Sequence, residues 1–197
     1  MSTKSTGGEG KLRVLDVYAG THSATKAFAD AGHKVEYVEI LEGKDARTYH
    51  PEHLFDFVVA CPPCTEYSYS NRKFSTWESK YEADPDLWLL ADRIIREAKP
   101  RLHVKENVKG AQQVWGRAPY KYASMFLWGW FPFDELPAIP WSTSIKGTHA
   151  DRSVVTEKNG GLFQWDEGKT AEEKAMWPEA LSKAVYDVAV KRIQPRK

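Results

Sequence analysis

This sequence of 197 residues lacks the features that mark several large classes of protein. It has only two cysteines, Cys61 and Cys64, which excludes a scaffold held together by disulfides. No apolar run approaches the roughly 20 residues that cross a bilayer, and mean hydropathy is −0.57. Neither a membrane protein nor a secretory signal is therefore predicted, and we expect a cytoplasmic location.

Net charge is nearly absent as well, because 28 basic residues face 27 acidic ones. Any charged partner must therefore be met by a local patch. Apolar residues are plentiful at 42%, with 13% aromatic, which excludes a disordered chain. No internal repeat or interior linker is evident. We expect a flexible tail over residues 1–10 and a single domain over residues 11–197.

The first forty residues follow a strand–helix–strand pattern. Residues 12–17 are largely apolar, residues 22–32 place alanines and Phe28 at helical spacing, and residues 33–40 read as a second strand. A strand, a helix and a strand within about thirty residues are typical of a parallel sheet.

The middle of the chain continues this alternation. Residues 55–60 form an apolar run of the buried, parallel type, which must end where two prolines follow. Asp84 and Pro85 are typical of the start of a helix, and this helix must end before Pro100. Residues 101–105 then predict a further strand.

The last third is less regular. It contains a predicted hairpin turn at Asn159 and Gly160, and a final helix that begins near Pro178. The core-facing residues predicted for this helix are Leu181, Val185, Val188 and Ala189. The whole pattern predicts an α/β fold with a doubly wound, mostly parallel sheet.

Three chemically capable side chains follow predicted strands. Asp16 ends the first strand, Cys64 follows the third and Glu106 follows the fourth. Ligands of doubly wound sheets bind outside the carboxyl ends of the strands, at the point where the strand order reverses. These three residues are therefore expected to share one crevice.

The turn after the first strand favours a nucleoside-type ligand. Gly20 allows a ligand to approach the backbone, Glu39 is placed to hold a ribose, and Asp45 could contact a base edge. There is no GxGxxG motif and no P-loop lysine, so a phosphate site is not favoured. The alternative is that Gly20 only permits a tight turn.

Cys64 and Glu106 fit nucleophilic catalysis. A thiol after a strand can act as a nucleophile, and a neighbouring glutamic acid can supply a proton. Cys61 is interpreted as a buried structural residue. The rival hypothesis is a dithiol oxidoreductase that uses Cys61 and Cys64 as a C-x-x-C pair. No metal site is predicted, because the six histidines lack ligand spacing.

Three segments resemble motifs of the DNA cytosine-5 methyltransferases, in the usual order: DVYAG at 16–20, PPCTEYS at 62–68 and KENVKG at 105–110. The helix after Pro178 is similar to the C-terminal motif of that family. The resemblance covers residues 12–110 well and 140–192 loosely. It implies a Rossmann-like fold that uses S-adenosylmethionine to methylate cytosine in DNA.

The resemblance also implies a role for each matching residue. Cys64 would attack C6 of a flipped cytosine, Glu106 would protonate N3, and Arg152 would contact the base. The residues expected to bind the cofactor are Asp16, Tyr18, Ala19, Gly20, Thr21, Glu39, Asp45 and Pro62. The residues expected to bind the substrate are Pro63, Tyr67, Ser68, Asn107 and Lys109.

The sequence departs from the family in two ways. Residues 21–23 (Thr-His-Ser) replace the second glycine of the cofactor loop, so a modified sulfonium donor could be admitted. Only 88 residues follow from position 110, which leaves no room for a target-recognition domain. Sequence selectivity is therefore expected to be short or supplied by a partner protein, and RNA or a single strand also fits as substrate.

Residues 99–123 carry six basic residues and one acidic residue, interleaved with aromatic residues. This run favours a surface that binds nucleic acid, with a solvated face over a Trp-rich core as the alternative. A third hypothesis is a degenerate methyltransferase fold that serves as a nucleic-acid-binding subunit without activity.

Overall fold

A computed structural model describes residues 10–68, 83–138 and 175–193. The strands of this part are β1 (Arg13–Val17), β2 (Lys34–Val38), β3 (Phe57–Ala60), β4 (Leu102–Asn107), β5 (Tyr120–Tyr122) and β6 (Met125–Trp128). The helices are α1 (Lys26–Asp30), α2 (Asp86–Ala98), α3 (Gln112–Trp115) and α4 (Glu179–Arg192).

The six strands described form one sheet in the order β2-β1-β3-β4-β6-β5. Strands β2, β1, β3 and β4 are mutually parallel. The chain moves from β1 to β2 on one side and then places β3 on the other side of β1, so the strand order reverses between β1 and β3. The predicted doubly wound, mostly parallel sheet is confirmed.

One strand runs against the others. β6 is antiparallel to both β4 and β5, and neither β5 nor β6 was predicted from the sequence. All four residues of β6 are buried, so the strand lacks the alternation that would have revealed it.

Helices cover both faces of the sheet, and the period of two in each strand divides the core. Val14 and Phe57 pack with Leu181 of α4 in one cluster. Leu15 and Val58, one residue further along their strands, pack in a second cluster with the apolar face of α2. This three-layer arrangement is Rossmann-like.

The predicted helix ends match the structure closely, with one exception. Asp84 Oδ1 accepts a hydrogen bond from the Asp86 backbone N–H at 2.9 Å, as expected at a helix start. The four predicted core residues of α4 are all buried. The helix predicted over residues 22–32 is shorter, because residues 21–25 form turns before α1.

Two predicted features lie outside the described residues: the hairpin at Asn159 and Gly160, and the base contact of Arg152. Among the residues described, no helix is both long and apolar enough to cross a membrane.

Candidate active site

The loop after β1 is held from two sides and leaves its backbone open. Tyr18, with φ of 60°, donates its N–H to the Val38 carbonyl at 2.8 Å. The Gly20 N–H donates to Glu39 Oε2 at 2.9 Å. A Cβ added at Gly20 would find no atom within 4 Å. The loop therefore offers open space above Gly20 next to a fixed carboxylate.

Asp16 supports this loop from below. Its side chain is fully buried and accepts a hydrogen bond from Thr25 Oγ1 at 2.6 Å. Burial raises its pKa to about 7, and the charge of Glu39 adds to that rise although the Thr25 hydrogen bond opposes it. No surface of Asp16 is exposed, so its hydrogen bond positions Thr25 and the loop, and its cofactor contact stays a prediction.

An apolar rim follows β2 beside Glu39. Ile40 and Leu41 are 60% and 89% exposed, while Asp45 Oδ1 accepts the Arg47 N–H at 2.9 Å. Exposed aliphatic side chains next to a carboxylate suit a ligand with an apolar ring and a hydroxylated sugar. Glu39 contacts Gly20 and Asp45 follows on the same loop, and their contacts with a cofactor stay a prediction.

Sequence reasoning missed the contacts by which His22 connects the loop after β1 to Tyr37 and Glu42. Its ring stacks on Tyr37 with centroids 3.9 Å apart, and its Nε2 lies 2.7 Å from Glu42 Oε1. His22 has a left-handed backbone with φ of 60°, as Tyr18 has, and neither conformation could be read from the sequence.

The loop that carries Cys64 is tied to the end of β4. Asn107 is fully buried, and its Nδ2 donates to the Pro62 carbonyl at 2.9 Å. Its Oδ1 accepts the Val108 N–H at 2.9 Å. The predicted substrate contact of Asn107 is therefore replaced by a structural one, which fixes Cys64 relative to Glu106.

Glu106 is electrostatically coupled to both thiols. Burial raises its pKa to about 8. Burial raises the pKa of Cys64, and the carboxylate charge of Glu106 raises it further. The same two causes, with Asp16 added, raise the pKa of Cys61. Coupling of this kind requires proximity, so these four residues occupy one region at the carboxyl edge.

The protonation states follow from these shifts. With a pKa of about 8, Glu106 is mostly protonated at neutral pH and can donate a hydrogen bond. Cys64 rests as a thiol, since its pKa lies above its usual value. A position after a strand can lower a thiol pKa, but burial outweighs that effect at Cys64.

The other predicted substrate residues differ in exposure. Pro63 and Lys109 are exposed, and Ser68 is half-buried. Tyr67, in contrast, is 1% exposed and packs edge-on against Trp88. An aromatic cluster encloses its ring, and its substrate contact stays a prediction.

The basic run at 99–123 does not form one patch. Lys105 is buried, and its Nζ lies 2.5 Å from Asp92 Oδ1 and 4.0 Å from the centre of the Trp88 ring. Lys99 and Arg101 precede β4, whereas Lys109, Arg117 and Lys121 follow it. The strand therefore separates these charges onto opposite ends of the sheet.

The model of a family described as C-5 cytosine-specific DNA methylase matches residues 19–115, which include Gly20, Cys64 and Glu106. This part of the chain is thus similar to that methylase family. A curated relative, the type II methyltransferase M.SacI of Streptomyces achromogenes, is 32% identical over 98 residues, which are 49% of this chain and 24% of the relative. The chain thus spans about a quarter of that methylase.

Two solved structures share weaker similarity. A DNA modification methyltransferase encoded within an E. coli prophage has a TM-score of 0.39 and 22% identity, over 52% of this chain and 34% of that chain. The DhpI–SAM–HEP complex has a TM-score of 0.28 and 12% identity, over 62% and 64% of the two chains.

The geometry of the C-x-x-C segment disfavours a dithiol pair. A residue that precedes proline is held in an extended conformation. Both Cys61 and Pro62 precede a proline, and Pro63 is itself extended, with φ of −46° and ψ of 128°. Three such steps separate the two Cα atoms by about 9 Å, whereas a disulfide needs less than about 7 Å. Both cysteines are free.

Proposed function

We propose that the protein transfers a methyl group from S-adenosylmethionine to C5 of cytosine in DNA. The observation that supports the proposal is the position of Cys64 just after β3 and of Glu106 in β4, two adjacent parallel strands, where the charge of Glu106 acts on the Cys64 thiol. The family match of residues 19–115 supports the choice of cofactor and base.

The loop after β1 fits the proposed cofactor. The open backbone at Gly20 admits a close ligand. Glu39 already accepts backbone N–H groups, but carboxylate oxygens have further lone pairs for ribose hydroxyls. Ile40 and Leu41 offer apolar contact for a purine. Bound there, S-adenosylmethionine would supply an electrophilic methyl group.

The chain's own residues would activate the base. The Cys64 sulfur bonds to C6 of cytosine and loses its proton as it does so, because the resting group is a thiol. Glu106 gives its proton to N3, which draws the electron pair toward the ring and makes C5 nucleophilic. After C5 is methylated, water takes the C5 proton and the Cys64–C6 bond breaks to give a thiolate. N3 then returns its proton to Glu106, and water, which took the Cys64 proton at the start, gives one back to the sulfur.

Further residues would hold the substrate. Pro63, Ser68 and Lys109 line the accessible side of the Cys64 loop, and Lys109 can meet a phosphate. Arg152 is retained as a proposed base contact. A partner protein that supplies selectivity, and RNA as an alternative substrate, remain proposals of the same kind.

The direct test is mass spectrometry of nucleosides from DNA incubated with the protein and S-adenosylmethionine. We expect 5-methylcytosine from the native chain and none from Cys64→Ser, with cofactor binding unchanged in equilibrium dialysis. Methyl transfer retained by Cys64→Ser would overturn the covalent mechanism. Absence of cofactor binding in both proteins would favour the degenerate subunit.

A further inference from the structure

The amino ends of the strands, opposite the candidate active site, form a second charged surface. Two adjoining cavities of about 300 and 280 Å³ lie there and share Arg13 and His53 as walls. Lys11 lines the first cavity and Lys34 the second. We call this surface, with Arg101 and Trp130 included, the amino-edge track.

Backbone contacts fix the order of residues along the track. Lys34 is the register partner of Arg13, and the Arg13 N–H donates to Asp56 at 2.9 Å. The Asp56 carbonyl accepts the Arg101 N–H at 3.1 Å. The track thus follows neighbouring strands from β2 to β4.

Trp130 extends the track beyond β4. Its carbonyl accepts the His103 N–H at 3.0 Å, and its side chain is 72% exposed. Gly129 fixes this geometry, because its φ is 131° and an added Cβ would lie 2.3 Å from the His103 carbonyl oxygen. An exposed indole at a set position is suited to stacking on a base.

Arg101 lies near the Asp56 carboxylate, but the other three cations of the track are not paired with the described acids. Within the described ranges, Lys11, Arg13 and Lys34 have no carboxylate partner. Their acidic neighbours have other partners: Asp56 accepts the Arg13 N–H and lies 4.0 Å from Arg101, and Glu36 accepts from Lys44 and Tyr49. The track is therefore electropositive.

We propose that the amino-edge track binds the phosphate backbone of a nucleic acid. Four strand spacings make it about 19 Å long, which covers roughly five phosphates at 3.4 Å per nucleotide. The choice of nucleic acid over another polyanion rests on the proposed function. Arg101 lies about 17 Å from Glu106 along β4, so the track contacts nucleic acid other than the target cytosine.

The test compares two triple variants of the full chain in which the same number of charges is removed. The track variant is Lys11→Gln, Arg13→Gln and Lys34→Gln. The control is Lys26→Gln, Lys183→Gln and Lys191→Gln, three exposed lysines with carboxylate partners. Fluorescence anisotropy of a labelled 20-nucleotide DNA, single-stranded and duplex, is followed against salt.

We expect the track variant to bind at least about 10-fold more weakly near 0.1 M salt. The slope of log affinity against log salt should decrease by about 2–3, whereas the control should stay within about twofold of the native chain. Trp130→Ala should weaken single-strand binding by about 5-fold or more, and Trp130→Phe should restore it.

Equal losses of DNA affinity in the track variant and in the control would overturn the inference. So would displacement of the DNA by millimolar pyrophosphate with no change in the salt slope, which would indicate a small phosphorylated ligand. All binding is measured in a Cys64→Ser background. A track effect without any 5-methylcytosine from the native chain would sink the proposed function and leave this inference standing.

Discussion

The two edges of this sheet differ in how they treat charge. At the carboxyl edge, burial raises the pKa values of Asp16 and Glu106 to about 7 and about 8, so Glu106 is mostly protonated and Asp16 about half protonated at neutral pH. The amino edge exposes the side chains of Lys11, Arg13 and Lys34 to solvent. Burial suits one edge to proton transfer, and solvation suits the other to long-range attraction.

Strand β4 and the residue before it show the same contrast within six positions. Arg101 is exposed at the amino edge, Lys105 is buried and paired with Asp92, and Glu106 is neutralised by burial. The position along the strand, more than the residue type, decides whether an ionisable side chain is exposed, paired or neutralised. Each prediction below tests one side of this contrast.

The largest effect is expected from Glu106→Gln on methyl transfer. The amide cannot give a proton to N3, so the rate should fall by about 10²–10⁴-fold. The native rate should also decrease as the pH rises above about 8, because Glu106 then loses its proton. A pH–rate profile of both proteins checks this, and an unchanged rate in the variant would remove Glu106 from the chemistry.

The next largest effect is expected at the amino edge, from Gly129→Ala. The added Cβ would lie 2.3 Å from the carbonyl oxygen of His103, which is backbone and cannot yield easily. Together with the strained φ of 131°, this should destabilise the protein by about 2–3 kcal/mol. Urea denaturation measures the loss, and a neutral result would mean that β4 and residue 129 can separate at little cost.

Glu106→Gln should also stabilise the fold, with a defined pH dependence. The folded-state pKa of Glu106, about 8, lies above the ordinary glutamic acid value of 4.5. The native protein therefore loses stability as the pH rises from about 4.5 to 8. The variant lacks this loss. The free energy of unfolding of the variant should exceed that of the native protein by nearly zero at pH 4 and by about 1–3 kcal/mol at pH 8.

Glu135→Gln is the matched control with the opposite sign. Hydrogen bonds from Lys191 and Arg192 lower the pKa of Glu135, so this variant should be less stable than the native protein at neutral pH, and the difference should disappear in acid. Thermal melts across pH measure both variants. The same sign for the two substitutions would contradict the contrast between a buried and a solvated acid.

The smallest effect is expected from Cys61→Ser. Cys61 lies beside Glu106 and Asp16, but the stiff prolines hold it away from Cys64. Methyl transfer should stay within about threefold of the native rate. A loss as large as that of Cys64→Ser would revive the dithiol hypothesis.

The sequence predicted the parts of the fold that local patterns specify. Periodicity predicted the parallel strands and the buried face of α4. The end signal at Asp84 predicted where α2 begins. The shared location of Cys64 and Glu106 followed from the rule that ligands bind at the carboxyl ends of strands.

The remainder depends on tertiary contacts that no local pattern encodes. β6 lacks alternation and β5 has only three residues. Tyr67 faces an aromatic cluster rather than solvent, and the run at 99–123 is divided because β4 passes through it. The raised pKa of Cys64 likewise reflects the burial around it.

The central claim is that Cys64 and Glu106 act on one cytosine, and trapping the adduct tests it most directly. A 5-fluorocytosine oligonucleotide has no C5 proton to lose, so the sulfur–carbon bond should persist after methyl transfer. Intact-protein mass spectrometry should show one oligonucleotide plus one methyl group on the native chain, mapped to Cys64, with little adduct on Glu106→Gln. Abundant methylated oligonucleotide without any protein adduct, or an adduct mapped to Cys61, would contradict the account.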